Sequence, residues 1–442
     1  MTTSIVLFTR DLRVHDNPAL AAACREDKSV VPLFVLDTDL LARVGDAANR
    51  LRFLCSALSE LDDELGARGG RLVVRHGRVV DEVGRAAREV GADTVHLAAD
   101  GTPYSRRRED ALRERLSSAG CELRVHGSSI TAVDPGAIRP DTGRGHYAIF
   151  TPYFNRWLET PLRRPVPPPV TVTVPEVESD AIPGAADLDA GPGSPRLAVG
   201  GETTGRKLLE QWLSGPVRRY EDEKDIPAAD GTSRLSPYLH FGCLSVTEIV
   251  TRTPATDPGA LAFLRQLAWR DFYHQVLADE PRVAVADYKT TSAEPWRSDP
   301  RGVAAWQAGR TGYPMVDAGM RQLLAEGWMP GRARLIAASF LVKTLRVDWR
   351  IGAEHFERWL VDGDVANNRL NWQWMAGTGT DTRSSRVLNP LRQADRFDPE
   401  GDYVRRWLPE LAQLPGAEIQ RPWRAGVLAA DYPPPIVEFN GM

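Results

Sequence analysis

Five short apolar runs alternate with amphipathic stretches over the first 126 residues, and this alternation constrains the fold more than any other feature of the chain. The runs are Ile5–Phe8, Val30–Leu36, Arg71–Gly77, Thr94–Ala99 and Glu122–Gly127. The stretches between them have helical length and are Pro18–Glu26, Ala47–Ala67, Val79–Val90 and Tyr104–Ala119. Strands that alternate with helices pair in parallel through crossover connections. The pattern therefore predicts an α/β domain with a five-stranded, parallel, doubly wound sheet, in which ligands bind beyond the carboxyl ends of the strands.

The chain changes character twice after Ser128. The stretches Pro161–Pro175 and Ala181–Gly201 are rich in Pro and Gly, which predicts a connector without regular structure that runs over the surface. From Thr203 onward helical periodicity dominates. The 442 residues are about three times the ~150 residues typical of one domain. We expect an α/β domain over residues 1–130, a linker over 131–202 and an all-α domain over 203–442.

Composition excludes several classes of protein. Hydrophobic residues make up 42% of the chain and charged residues 26%, as in ordinary globular proteins, and no apolar run reaches the ~20 residues of a membrane span. The cysteines Cys24, Cys55, Cys121 and Cys243 lack metal-ligand spacing and predict free thiols. A net charge of −4 means that any polyanionic partner must be bound by local basic groups. We expect a soluble cytoplasmic protein without a metal site.

The ends of the predicted strands carry polar groups but no dinucleotide-binding motif. No Gly-x-Gly-x-x-Gly follows any of the strands. Asp37 and Asp100 follow two different strands and can face one crevice. An aspartate in such a position is, by itself, more often a helix cap or a surface charge.

A cluster of hydroxyl groups precedes a predicted helix in the second half of the chain. Thr232, Ser233 and Ser236 surround Arg234 within Asp230–Ser245. Hydroxyl and backbone N–H groups at the start of a helix bind phosphate, although such clusters are more often simple caps.

The segment Leu360–Asp381 crowds charged, amide and aromatic side chains together. They are Asp362, Asp364, Asn367, Asn368, Trp372 and Trp374. A solvated face does not use Trp, and a core does not use this many polar groups unless a partner satisfies them. A large, flat ligand with polar edges is such a partner.

Eight sequence blocks together resemble those of one known family. They are FTRDLRVHDNPAL, YAIFTPYFNRW, GTSRLSPYLHFG, LAWRDFY, TGYPMVDAGMRQL, SFLVKTLRVDWR, DGDVANN and WQWMAGTGTD. In this order they resemble the photolyase/cryptochrome family, in particular the microbial class I cyclobutane pyrimidine dimer photolyases. The resemblance covers essentially the whole chain and implies an antenna chromophore in the α/β domain and a bent FAD in the helical domain.

The resemblance also implies which residues bind FAD. They are Tyr220, Thr232, Ser233, Arg234, Leu235, Ser236, Arg270, Trp328, Arg334, Asp362, Asp364 and Asn368. Arg334 and Asp362 would flank the isoalloxazine, and Asn368 would face its redox-active nitrogen and favour the reduced flavin. Trp372, Trp349 and Trp296 match the family's electron-transfer chain, although a single Trp is more often a packing residue.

The implied reaction is light-driven repair, in which excited reduced FAD gives an electron to a flipped-out pyrimidine dimer in UV-damaged DNA; photolyases are a standard example of base flipping. Trp269 and Trp374 would form the aromatic walls of the lesion pocket, and Lys224 and Arg332 would contact phosphates.

Three residues of the lesion pocket depart from the family pattern. Gln266 stands where the family usually has Glu, Gly331 where it has Asn, and Leu335 where it has Met. These changes bear on lesion preference and repair efficiency and not on FAD binding. The alternative function is therefore a cryptochrome-type blue-light photoreceptor with weak or no repair activity.

The antenna is predicted from the α/β domain. Asp37, Arg50 and Asp100 resemble the polar contacts of members that bind an 8-hydroxy-5-deazaflavin. A folate would use an Asn-Glu pair where this chain has Arg106 and Arg107, so a folate is the less favoured antenna. An empty antenna site is the remaining alternative. We expect a monomer with no membrane partner that associates with the nucleoid when bound to DNA.

Overall fold

The computed structural model describes residues 2–44, 47–188, 190–289, 296–380, 387–424 and 432–438. The strands are β1 (Thr3–Phe8), β2 (Ser29–Asp37), β3 (Val73–Gly77), β4 (Thr94–Ala98) and β5 (Glu122–His126). Within the described residues they form a parallel sheet with the order β3-β2-β1-β4-β5. The helices of this region are α1 (Pro18–Glu26), α2 (Thr38–Val44), α3 (Ala48–Gly66), α4 (Val79–Val90) and α5 (Pro103–Ser117).

The predicted doubly wound sheet is confirmed. The central strand β1 is buried at every position, as expected for a parallel strand covered on both faces. Asn17 caps α1, because its side chain accepts the N–H of Leu20 at 3.0 Å and Pro18 occupies the first turn. The sequence did not predict α2, a short helix directly after β2.

The rest of the chain is helical, as predicted. The helices are α6 (Phe150–Glu159), α7 (Glu202–Leu213), α8 (Tyr220–Glu223), α9 (Ser236–His240), α10 (Val246–Arg252), α11 (Pro258–Asp279), α12 (Pro300–Gln307), α13 (Pro314–Glu326), α14 (Gly331–Ser339), α15 (Trp349–Trp359), α16 (Val365–Ala376), α17 (Pro390–Phe397) and α18 (Asp402–Trp407). A π-helical turn at Phe340–Thr344 continues α14, and short 3₁₀ turns lie at Pro216–Arg219, Pro227–Ala229, Pro281–Ala284, Pro409–Leu411, Gly416–Gln420 and Pro422–Arg424.

The connector differs from the prediction in two respects. Helix α6 lies within it. Val172 and Val177 are buried, and the N–H of Val172 bonds to the carbonyl of Arg68 at 2.9 Å, so this part of the connector packs against the α/β core instead of only covering it.

The chain divides into two compact units. The α/β unit comprises Met1–Gly193, Val199–Ser214 and Ser233–Pro281, and the helical unit comprises Ser194–Ala198, Gly215–Thr232 and Arg282–Met442. Helix α11 thus belongs to the α/β unit. The predicted domain boundaries follow composition and differ from this division; they stay a prediction. None of the described helices is long and apolar enough to cross a lipid bilayer.

Candidate functional site

Arg334 and Asp362 form an ion pair in the helical unit. Nη2 of Arg334 lies 2.8 Å from Oδ2 of Asp362, and its Nε donates to the carbonyl of Met329 at 2.8 Å. The segment that carries Asp362 is held in place because the N–H of Val361 donates to the carbonyl of Gly327 at 2.8 Å. The other carboxylate oxygen, Oδ1 of Asp362, is buried and has no hydrogen-bond partner among the described residues. A ligand that donates a hydrogen bond would satisfy this oxygen.

Polar side chains at the start of α16 follow this ion pair. Asp364 caps the helix, since its Oδ1 accepts the backbone N–H of Asn367 at 2.9 Å and the side-chain amide of Asn367 at 2.8 Å. The amide nitrogen of Asn368 donates to the carbonyl of Ala353 at 2.9 Å and to Oε1 of Glu357 at 3.2 Å. In this conformation the amide hydrogens of Asn368 are directed at protein acceptors. Donation to a flavin would require the side chain to turn, so this predicted role stays a prediction.

The predicted phosphate loop has an unusual backbone. Arg234 has a φ of 52° and Asp230 a φ of 51°, the left-handed region that non-glycine residues rarely adopt. The helix that begins at Ser236 has five residues, so its dipole is weak and any phosphate would depend on the loop's own groups. Oγ1 of Thr232 is buried without a hydrogen-bond partner among the described residues. Strained non-glycine residues beside an unsatisfied hydroxyl are typical of ligand-binding loops.

The loop and α11 are joined within the α/β unit. Oγ of Ser233 accepts the N–H of Leu235 at 3.4 Å, and Leu235 is buried. Nε of Arg270 donates to the carbonyl of Ile130 at 2.8 Å, and its Nη2 donates to the carbonyl of Leu239 at 3.2 Å. Arg270 therefore fixes the short helix that follows the predicted phosphate loop.

One face of α11 is open to solvent. Gln266 is exposed, and Trp269 and Arg270, three and four residues further along, are partly exposed. This spacing places the three side chains on one side of the helix. The predicted lesion-contacting residues of this helix are thus accessible.

The three tryptophans of the predicted electron-transfer chain share one hydrophobic core in the helical unit. Trp372 and Trp349 are buried within it, and Trp296 packs against it half-buried. Nε1 of Trp349 donates to Oδ1 of Asp287 at 2.8 Å. A Cβ on Gly352 would lie 2.2 Å from Cη2 of Trp372, so α15, which carries Trp349, packs closely against Trp372. A half-buried outer member suits a chain that ends at the surface.

Sequence reasoning missed a fourth tryptophan in this core. The ring centre of Trp306 lies 6.0 Å from that of Trp372, with Phe356 4.9 Å from Trp372 on another side. Trp306 is fully buried, and its Nε1 donates to the carbonyl of Ala337 at 2.9 Å. Its neighbours lie on other helices, so sequence spacing offered no signal.

The predicted phosphate-contacting cations are both paired with carboxylates. Nη2 of Arg332 lies 2.8 Å from Oδ1 of Asp225, and its guanidinium lies 4.3 Å from the ring centre of Phe397. Nζ of Lys224 lies 2.9 Å from Oε2 of Glu221 and 4.0 Å from Oδ2 of Asp225. A phosphate would have to compete with Asp225 for both cations.

The remaining predicted residues of the helical unit have these positions. Tyr220 begins α8 and is half-buried, and burial raises the pKa of its hydroxyl. Trp328 is buried, and Trp374 and Leu335 pack partly buried against the hydrophobic core. Gly331 is the first residue of α14, and a Cβ there would meet open space. Asp381, which ends the last predicted block, lies outside the described residues.

Two of the predicted antenna residues, Asp37 and Asp100, lie at the carboxyl edge of the sheet. The hydroxyl of Tyr104, in the first turn of α5, donates to Oδ2 of Asp37 at the end of β2. Asp100 follows β4 and lies 3.5 Å from Nη1 of Arg10, which follows β1. Burial alone would raise the pKa of the Asp100 carboxyl, but Arg10 and a backbone hydrogen bond bring it below its ordinary value. Arg50 is half-buried on α3.

A cavity of about 470 Å³ lies beside Asp100 in the α/β unit. Its polar lining is Asp100, Arg106, Glu109, Asp110, His126, Ser128 and Asp134. Asp37 and Arg50 do not line it. Tyr104 on α5 thus hydrogen-bonds Asp37. The cavity instead lies between Asp100 and the end of β5, where His126 and Ser128 line it.

These features define a protein with a parallel α/β unit and a helical unit whose buried polar atoms fit a large polar ligand. The unsatisfied atoms of Thr232 and Asp362 are a hydroxyl and a carboxylate oxygen, which can bond the hydroxyl and ring N–H groups of a flavin nucleotide.

Comparisons with known proteins also indicate a flavin-binding protein. The family model described as DNA photolyase matches residues 4–171, and the model described as the FAD binding domain of DNA photolyase matches residues 263–442. A deoxyribodipyrimidine photo-lyase of Streptomyces griseus is 54% identical over 99% of this chain and 97% of its own. Among solved structures, a bacterial class III photolyase from Agrobacterium tumefaciens has a TM-score of 0.92 at 33% identity, over 99% of this chain and 95% of its own. A cryptochrome from Synechocystis has a TM-score of 0.90 at 30% identity, over 99% of this chain and 97% of its own.

The chain belongs to the DNA photolyase family and contains its FAD-binding domain.

Proposed function

We propose that this protein is a DNA repair lyase that uses light to split cyclobutane pyrimidine dimers. The observation that carries the proposal is the 54% identity, over 99% of the chain, to a protein named deoxyribodipyrimidine photo-lyase. The reaction needs a bound light-absorbing donor, a way to keep this donor reduced, and a surface that takes the lesion out of the duplex. The chain offers candidate residues for each.

FAD, when bound and reduced, supplies the excited-state electron. Asp362 would accept a hydrogen bond from the ring system through its unsatisfied oxygen, while Arg334 holds the carboxylate in place at 2.8 Å. The hydroxyl of Thr232 would bond the ribityl or phosphate part. Asn368 and the loop Ser233–Ser236 complete the proposed set with Tyr220, Arg270, Trp328 and Asp364.

The proposed electron route into the flavin site runs from Trp296 through Trp349 to Trp372. An indole can be oxidised and re-reduced, and the three rings belong to one hydrophobic core. Their burial falls from Trp349 and Trp372 to the half-buried Trp296, which suits exchange with a reductant in solution.

The lesion would be held by Trp269 and Trp374, with Gln266 at the edge of the flipped pyrimidines. Stacking on an aromatic side chain contributes about 1–3 kcal/mol per base. Lys224 and Arg332 would contact the DNA backbone once a phosphate replaces Asp225 as their neighbour.

The subclass and the antenna belong to the same proposal. The eight blocks favour class I, but the similar Agrobacterium structure is a class III photolyase. Class I therefore stays a prediction. We propose an 8-hydroxy-5-deazaflavin near Asp37, Arg50 and Asp100. To reach Asp37, such an antenna would either displace the hydroxyl of Tyr104 or bind beside it. The protein would act as a monomer and would associate with the genomic DNA when it binds its substrate.

The test is to reduce the flavin chemically, add an oligonucleotide with one thymine dimer, and follow loss of the dimer by chromatography under blue light. Light-dependent, catalytic loss of the dimer is expected, with no loss in the dark. If dimer loss does not exceed the dark control while FAD is fully bound, the repair proposal is wrong, and the altered residues Gln266, Gly331 and Leu335 then favour the photoreceptor.

A further inference from the structure

Helix α6, in the block YAIFTPYFNRW, carries an aromatic ring that covers one face of Trp269. The ring centres of Phe150 and Trp269 are 3.7 Å apart, and the ring planes differ by 4°. Phe150 is buried at 6% exposure, while Trp269 is partly exposed. A parallel stack this close leaves Trp269 with one face for any other partner.

The ring of Phe150 is itself held by its neighbours. The guanidinium of Arg265, one turn before Trp269 on α11, lies 4.9 Å from the ring centre of Phe150. Phe154 and Phe272 contact the same ring, with centres at 5.6 and 5.7 Å. The plane that Phe150 offers to Trp269 is therefore fixed.

Helix α6 is attached to α11 independently of Phe150. Nε1 of Trp157 donates to Oδ2 of Asp271 at 2.8 Å. The side chain of Gln275 accepts the N–H of Tyr147 at 3.0 Å and donates to its carbonyl at 2.9 Å. Loss of the Phe150 ring would leave these bonds in place, so its effect on Trp269 can be measured in an intact α/β unit.

We propose that Phe150 is a positioning residue for lesion recognition. By stacking on one face of Trp269 it fixes the indole plane and presents the other face to the flipped-out pyrimidines. This inference rests on the proposed function. Without Phe150 the indole would keep only its edge contact with Phe272 and its tilted contact with Tyr273, with ring centres at 5.4 and 5.3 Å, and ordering its plane on binding would cost affinity. A fixed indole does not carry this cost.

The experiment measures binding of Phe150→Leu to two matched oligonucleotides, one with a thymine dimer and one undamaged. Leu keeps the apolar volume but offers no flat ring. We expect affinity for the dimer to fall about fivefold to tenfold, a part of the stacking contribution, with undamaged DNA and FAD content unchanged. Phe150→Tyr keeps the stack and should keep the preference. Should Phe150→Leu fold poorly, Phe150→Met is expected to show the same selective loss.

Two further variants separate positioning from general structure. In a Trp269→Leu background, Phe150→Leu should cause no further loss, because its effect passes through the indole. Phe263→Leu is the matched control, since Phe263 is also buried in the α/β unit but meets Trp212 edge-to-face, with ring centres 5.4 Å apart, and should keep the dimer preference.

Three results would overturn the inference: unchanged dimer affinity in Phe150→Leu, an equal loss for both oligonucleotides, or additive losses in the double variant. Its failure is distinguishable from failure of the proposed function. Wild type without any preference for the dimer defeats both. Wild type with a preference that Trp269→Leu abolishes and Phe150→Leu retains defeats the positioning role alone.

Discussion

At the scale of single residues, Trp372 is the last tryptophan of the proposed electron route before the flavin and is buried, at 2% exposure. Replacing it with Phe keeps a ring in the core but removes a side chain that can be oxidised. We expect photoreduction of bound FAD to slow at least roughly tenfold, the factor that ~1.4 kcal/mol of added barrier produces. Repair by chemically reduced protein should be nearly unchanged. Absorbance of the flavin under illumination measures the first, and dimer loss the second.

Trp306→Phe is the control for this prediction. Trp306 is as buried as Trp372 and lies 6.0 Å from it, but is not part of the proposed route. Photoreduction should persist in this variant. Photoreduction at the wild-type rate in Trp372→Phe, together with slow photoreduction in Trp306→Phe, would show that the electron takes another path.

Asp271 carries a predicted pH dependence of stability. Burial raises the pKa of this carboxyl from 3.8 to about 7, although Oδ2 accepts hydrogen bonds from Trp157 and from the N–H groups of Ala132 and Val133. The folded state therefore keeps a proton that the unfolded state has lost. The stability that this proton contributes is lost as the pH rises from about 4 through about 7. The free energy of unfolding falls by up to about 4 kcal/mol over this range.

Asp271→Asn keeps an oxygen for the three N–H groups and does not titrate. Its melting temperature relative to wild type should increase as the pH rises from 5 to 8, values that bracket the raised pKa. Asp271→Leu, which lacks any acceptor, should be less stable than Asp271→Asn at every pH. A constant difference between wild type and Asp271→Asn would show that the carboxyl stays ionised throughout.

Gln266 is an exposed residue at which the sequence predicts a departure from the family pattern. A carboxylate at this position would face solvent, four residues before Arg270, so its own cost is small. A charge-assisted hydrogen bond is about twice as strong as a neutral one, and we expect Gln266→Glu to improve dimer affinity about fivefold, or ~1 kcal/mol. Binding and repair yield are measured with fully reduced flavin. Equal or weaker repair in Gln266→Glu would show that the amide suits its pocket.

At the scale of elements, the packing of α15 on α16 depends on Gly352. A Cβ there would lie 2.2 Å from Trp372 and 2.7 Å from Cδ2 of Leu341. Overpacking costs about 1–3 kcal/mol, which outweighs the gain of up to ~1 kcal/mol in helix propensity. Gly352→Ala should therefore lower the free energy of unfolding and slow photoreduction by moving Trp372. Denaturant unfolding measures the first effect.

Gly331→Ala is the control at the level of the helix. A Cβ on Gly331 meets open space, so this variant should be as stable as wild type or slightly more stable. Equal stability of Gly352→Ala and wild type would mean that the indole of Trp372 shifts at no cost, and the close packing would not constrain the electron route.

At the scale of the whole molecule, the net charge of −4 means that DNA must be bound by a local basic surface. Lys224 and Arg332 share Asp225 as a neighbour. Asp225→Asn should release Arg332, while Lys224 stays paired with Glu221, and should strengthen binding to undamaged duplex. Arg332→Ala should weaken this binding and reduce the slope of log affinity against log salt by about one. A salt titration of both variants measures this. Unchanged slopes in both would assign the ion pairs to folding instead of DNA contact.

Local patterns predicted much of the fold. The five strands follow from apolar runs of strand length, and α1 and α4 begin and end where the sequence pattern predicted. Helix α6 was missed because it directly precedes a Pro-rich stretch, and the partner of its Phe150 is on α11, more than a hundred residues away.

The sequence by itself determined the fold class and the family, because strand and helix periodicity and short polar motifs are properties of neighbouring residues. It also identified the residue types of the candidate site. Only the tertiary structure decided what each side chain contacts: that Arg332 is paired with Asp225, that Tyr104 bonds Asp37, and that Phe150 covers Trp269. These contacts join residues 67 to 119 positions apart, and such pairings depend on how elements pack and not on local sequence.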